Sequence, residues 1–337
     1  MPAGIFATSR SVLIIRRWFG IGLLVFSLTL LVAGMAAGQG MSNIFLPNVQ
    51  VNGPATPPPA SLVVQNDQLY IDTINGGLHL AGEIRNNTAS TQGLLRVTVR
   101  LLQGGQVVRE FQQSALVFSL RPGEAAPFDV FMGTPPAFDN YTATPSGQST
   151  ANAPVDQFTI LSQRSYDEAG VRRVVGELRS DLASNAGLVQ VVATFYDANG
   201  KVWRASQAYT LLNVLRPGQR SPFVLTASGA SQIASASFLV RAIANVAAPR
   251  GDLAVLNSSA AVQGDVLLIS GQVRNDGAAA ASNVQVVASL YDAGGQIVNA
   301  AASTRAALAA GATAPFQVVF PAQWQGYASY ELQAQGN

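Results

Sequence analysis

Along most of the chain, apolar and polar residues alternate with a period of two. Leu78, Leu80, Gly82 and Ile84 fall on one face, and His79, Ala81, Glu83 and Arg85 on the other. Leu95, Val97, Val99 and Leu101 alternate with Arg96, Thr98 and Arg100. Val189, Val191, Ala193 and Phe195 alternate with Gln190, Val192, Thr194 and Tyr196. A period of two with one wetter face predicts half-buried strands in antiparallel sheets. Asp197-Ala198-Asn199-Gly200 and Asp292-Ala293-Gly294-Gly295 supply the positive φ that hairpin turns need. No capped amphipathic helix is visible in residues 60–337.

The N-terminus breaks this pattern. Trp18 to Ala37 carries no charge, and twenty helical residues span about 30 Å, the thickness of a bilayer core. Arg10, Arg16 and Arg17 precede it, which predicts a cytoplasmic N-terminus (residues 1–17) and export of the remainder. Two outcomes fit residues 18–37: a retained transmembrane anchor, or a signal peptide cleaved near Ala36 after Gly34-Met35-Ala36. Residues 38–60 hold Pro57-Pro58-Pro59 and several glycines, the composition of a semi-rigid stalk.

Three copies of one pattern fill the rest. Gly82-Glu83-Ile84-Arg85-Asn86 returns as Gly176-Glu177-Leu178-Arg179-Ser180 and Gly271-Gln272-Val273-Arg274-Asn275, at intervals of 94 and 95 residues. Arg121-Pro122-Gly123 followed by Pro127-Phe128 returns as Arg216-Pro217-Gly218 with Pro222-Phe223. The third copy has Ala310-Gly311 with Pro315-Phe316. Between them, Ala193-Thr194-Phe195-Tyr196-Asp197 matches Ala288-Ser289-Leu290-Tyr291-Asp292, whereas the first copy reads Leu101-Leu102-Gln103. Repeats of this length, with turn signals every few residues, predict all-β architecture. The expected organisation is three tandem immunoglobulin-like antiparallel β-sandwich modules at 61–147, 153–247 and 251–337. A Gly/Pro/Ser-rich linker is expected from Thr144 to Pro154 and another around Pro249.

The Tyr-Asp cores, preceded by Gly-x-[Leu/Val]-Arg and followed by the Pro-Gly turn and Pro-Phe strand, resemble the FxLYD domain family, which is similar to bacterial cell-adhesion-related immunoglobulin-like domains. The resemblance covers the second and third copies well and the first by spacing. It implies an exported prokaryotic β-sandwich module, and it carries no catalytic or binding residue with it.

Composition narrows the chemistry. The 337 residues include no Cys and one His, which excludes disulfide scaffolds, Cys-zinc sites and thiol nucleophiles and leaves little for a histidine base. The net charge of +2 comes from the three N-terminal arginines. The remaining 17 basic and 18 acidic residues show no basic stripe, so no nucleic-acid face is expected. No catalytic residue, metal ligand or cofactor site is assigned.

The candidates each have a structural reading. His79 reads as a solvated strand histidine. Asp197-x-Asn199-Gly200 matches the start of a calcium loop, but Ala208 stands where the closing Glu belongs, leaving a hairpin turn. Arg85, Arg179 and Arg274 read as strand-end arginines rather than an anion site. Asn86, Asn140 and Asn257 head formal glycosylation sequons.

The expected protein is therefore non-catalytic, held to a membrane through residues 18–37, and meets an unknown protein or glycan at the cell surface. The alternative is a structural spacer or accessory subunit of an envelope assembly. Trp203, Tyr209, Trp324 and Tyr327 gathered on one surface would favour the first. The modules are expected to fold independently, share little core and touch only through weak, salt-sensitive contacts.

Overall fold

Each alternating run forms a strand. In the computed structural model, residues 61–72 and 76–337 are described, and the basic segment, hydrophobic run and stalk of residues 1–60 lie outside them. The first repeat contains β1 (Leu62–Ile71), β2 (Leu78–Asn86), β3 (Gln92–Gln103), β4 (Gln106–Ser114), β5 (Ser119–Leu120), β6 (Ala125–Gly133) and β7 (Asn140–Ser149). The second contains β8 (Phe158–Glu168), β9 (Val171–Ser180), β10 (Ala186–Tyr196), β11 (Val202–Tyr209), β12 (Val214–Leu215), β13 (Arg220–Ser228) and β14 (Ser235–Ala244). The third contains β15 (Leu253–Gln263), β16 (Val266–Asn275), β17 (Ala281–Tyr291), β18 (Ile297–Leu308), β19 (Thr313–Phe320) and β20 (Ser329–Gln335).

Every repeat builds two antiparallel sheets in the same order. One is β1-β2-β6, repeated as β8-β9-β13 and β15-β16-β19. The other centres on β3, with β4 on one side and β5 and β7 on the other. It recurs around β10, and around β17 between β18 and β20. Between each pair lies an apolar core. Leu80, Val97, Leu101 and Phe128 belong to the first, Leu178, Val191, Phe195 and Phe223 to the second, Ile269, Val286, Leu290 and Phe320 to the third.

The two most regular motifs explain each other. Gly82 stands opposite Phe128 across β2 and β6, Gly176 opposite Phe223, and Gly271 opposite Phe316. A Cβ on Gly82 would sit 2.6 Å from Phe128 Cζ, one on Gly271 2.8 Å from Phe316 Cζ, and one on Gly176 closer still to the Phe223 ring. The glycine is thus the only residue that lets the phenylalanine lie across its own sheet.

Two expectations change here. Thr144 to Gly147, read as linker from its Pro, Ser and Gly content, is part of β7 and pairs with β3. Pro145 is tolerated because β7 is an edge strand, where a missing N–H breaks no ladder on the outer side. The cores are also not separate. Val192 of the second repeat packs in the first core, and Val287 of the third in the second. The described residues form one compact unit.

Candidate functional site

The face of β2 that alternation marks as wet is covered by the next repeat. β11 lies against β1, β2 and β6, and β18 lies in the same way against β8, β9 and β13. The two seams are built from equivalent positions. At the first, Val202 packs with Ala81 and Tyr70, flanked by Tyr196 and Trp203. At the second, Ile297 packs with Val175, Tyr291 and Ala300.

Both seams are latched by a tyrosine and a buried glutamate. Tyr196 donates its hydroxyl to Glu83 Oε1 at 2.6 Å, and Tyr291 to Glu177 Oε1 at 2.5 Å. Glu83 also accepts from Gln65 and Asn66 through Oε2, and Glu177 from Arg220. Both carboxylates are nearly fully buried. Burial pushes Glu177 above the usual carboxylate range, outweighing the hydrogen bond from Tyr291 and the charge of Arg220. Burial, and then the bond to Glu177, also raises the Tyr291 hydroxyl well above its ordinary range. The tyrosine of the Tyr-Asp motif therefore serves the repeat before it, and the glutamate of the Gly-Glu motif the repeat after it.

An arginine clamps each linker. Arg121 Nη2 donates to the Pro154 carbonyl at 2.9 Å and pairs with Asp156, which it holds below the usual carboxylate range. Arg216 Nη2 donates to the carbonyls of Pro249 and Arg250 at 2.8 and 2.9 Å. In both cases the clamped proline lies 33 residues after the arginine.

These parts are missing where they would have no partner within the repeat array. The first repeat has Leu101-Leu102 in place of Phe-Tyr. The third has Gln272, which is exposed, in place of the glutamate, and Ala309-Ala310 in place of Arg-Pro. This difference between copies was the signal for the seams, and reading each copy as a separate structural motif passes over it.

The sequence candidates fall in other places. His79 is buried, not solvated: Nδ1 lies 2.7 Å from Asp129 Oδ1, and the ring stacks on Tyr70 at 4.9 Å. Tyr70 bonds the other oxygen of Asp129 at 2.7 Å and packs against Trp203 across the first seam. Burial and Asp129 together raise its hydroxyl far above the ordinary range. Beside it Arg204 reaches back to Asp72 at 2.5 Å. The period-two reading of β2 failed because the covering element belongs to another repeat.

Asp197 Oδ1 accepts from the backbone of Asn199 and Lys201, and Asp292 Oδ1 from that of Gly294 and Gln296. The Asp of the motif is thus a hairpin staple. In the first repeat Asp139 takes over, accepting from Gly104 N at 2.7 Å. Arg85, Arg179 and Arg274 each turn to the residue two positions on, Asn87, Asp181 and Asp276. Asn86 is fully buried and donates to the Ser90 and Leu120 carbonyls, so in the folded chain its sequon is closed. Asn140 and Asn257 are exposed.

Trp203, Tyr209, Trp324 and Tyr327 do not form one patch. Trp203 lies at the first seam, Trp324 and Tyr327 pack on the third core, and Tyr209 is half exposed. Among the described residues, no cluster of three His, Cys, Asp or Glu is placed to hold a metal ion, and no helix is long and apolar enough to cross a membrane. No protein-family model matches the chain, and no curated protein matches it.

Proposed function

We propose that the chain is an exported, membrane-anchored, non-catalytic protein that holds three immunoglobulin-like modules of the FxLYD type in fixed register, as an interaction or adhesion surface at the cell surface. The observation that carries this reading is the pair of equivalent seams. Each spends a buried Tyr–Glu bond, an apolar cluster and an arginine clamp on fixing one repeat to the next. Such an investment favours a surface composed of several repeats over loosely strung beads.

The strand order supports the immunoglobulin-like assignment. One sheet joins the first and second strands of a repeat to the strand that carries its Pro-Phe pair, and the other is centred on the third. This corresponds to the A-B-E and C′-C-F parts of that sandwich. The uncharged run at 18–37 behind Arg16 and Arg17 supports anchoring with the N-terminus inside, and residues 38–60 support a stalk. Protease added to intact cells is expected to degrade the repeats. Repeats that survive until the membrane is broken would overturn the reading.

A further inference from the structure

The three repeats differ in how the flank between their first and last strands is closed. In the first repeat β1 packs on β7, and in the third β15 packs on β20. A tyrosine fastens each closure. Tyr141 of β7 donates its hydroxyl to Asp67 Oδ2 at 2.8 Å, and the hydroxyl of Tyr330 of β20 lies 3.2 Å from Ser258 Oγ. Both rings pack against the core of their own repeat.

Strand register identifies the counterparts of these residues in the second repeat. Tyr141 stands opposite Leu101 and Tyr330 opposite Leu290. Ala236 stands opposite Phe195, the equivalent of those leucines. On the other strand, Asp67 directly precedes the partner of Ala81 and Ser258 the partner of Ser270. Gln163 directly precedes the partner of Val175. Ala81, Val175 and Ser270 each stand just before the motif glycine, so the three positions match. The second repeat therefore keeps a polar residue where the hydroxyl would end, but has Ala236, which is exposed, in place of the tyrosine.

A hollow of about 230 Å³ lies at that place. Gln163 and Ser165 of β8 line one side, Ala236 and Phe238 of β14 the other, and Val174 and Phe195 back it. Gln163 is exposed, and its side chain has no hydrogen-bond partner among the described residues. Two arginines also border the hollow, and neither brings a free charge into it. Arg172 is paired with Asp167. Arg164 shares a sheet face with its cross-strand neighbour Val175, which packs in the second seam. A neutral ring with one polar group suits such a site.

We propose that this hollow binds a para-hydroxyphenyl group brought by another molecule, with its ring against Ala236 and Phe238 and its hydroxyl on Gln163. The occupant is named by the protein itself, which fills the same position with that group in two of its three repeats. A free phenol and a tyrosine of another chain share this chemistry, and the arms of the test separate them. The proposal goes beyond the proposed function and does not depend on membrane anchoring.

The test titrates the purified full-length chain with 4-methylphenol, the tyrosine side chain as a free molecule, followed by saturation-transfer NMR. Saturable binding with a dissociation constant of about 1 mM is expected, ordinary for so small a ligand. Toluene, which lacks the hydroxyl, should bind about threefold or more weakly, and Gln163→Leu should erase that preference. Ala236→Tyr restores the ring from within. It should weaken 4-methylphenol about tenfold or more while the melting temperature is kept or raised. N-acetyltyrosinamide binding as tightly as 4-methylphenol supports the proposal with a tyrosine of another chain as the source. Binding of 4-methylphenol alone supports it with a free phenol. Absence of saturable binding to the wild-type chain overturns the proposal, as does a preference for toluene. Equal binding to a folded Ala236→Tyr variant also overturns it, because it places the ligand elsewhere on the chain.

Discussion

Gly176 and Phe223 show how much one hydrogen atom in place of a methyl group decides. The Phe223 ring fills the space in which a Cβ would stand, on a strand pair buried from both sides. Gly176→Ala is expected to lower stability by about 1–3 kcal/mol, the usual range for overpacking, and Phe223→Leu should recover part of it. Urea denaturation of the single and double variants checks both. The glutamates give a contrast at one motif position. Glu177→Leu removes the buried acceptor of the Tyr291 hydroxyl and should cost about 1–3 kcal/mol. Gln272→Glu changes an exposed residue and should stay within about 0.5 kcal/mol. Equal effects at the two positions would mean that the latch contributes nothing.

At the level of elements, the bulges in β3, β10 and β17 separate backbone demand from side-chain choice. Leu188→Asn relieves a left-handed leucine and should leave the melting temperature unchanged or raise stability by about 1 kcal/mol. A clear loss of stability would show that Leu188 is held by packing. Most strands were legible from alternation, and the Asp-Ala-x-Gly hairpins from their turn residues. β7 was not, because Pro145, Ser146 and Gly147 read as linker by composition while β3 offers them a ladder. His79 was misplaced for a different reason. Alternation reports the two faces of a strand, but not what a later repeat lays over one of them.

For the molecule as a whole, the seams replace the expected weak electrostatic docking. Val192, Val202, Val287 and Ile297 are buried by or at a neighbouring repeat. Residues 153–247 alone should therefore melt well below the full chain, and the full chain should change little between low and high salt. A segment as stable as the whole would restore the independent-module picture. The two seams should also respond oppositely to acid. Asp156 is depressed below its ordinary 3.8, so its contribution is present above that value and is lost as pH falls through the folded one. Glu177 is raised above 4.5, so its contribution is complete below that value and is lost as pH rises through the folded one. Hydrogen exchange followed from neutral to acid pH should show the second seam tightening before the first loosens.

The arginine clamps have a kinetic consequence. Only eight residues separate β7 from β8, and eight separate β14 from β15. Fully extended, such a tether reaches about 27 Å. If a latch breaks, the short tether keeps the released tyrosine near its glutamate, at an effective concentration on the order of millimolar. Under a pulling force each junction would pay out its short slack and then re-close when the load drops, before any sandwich has to unfold.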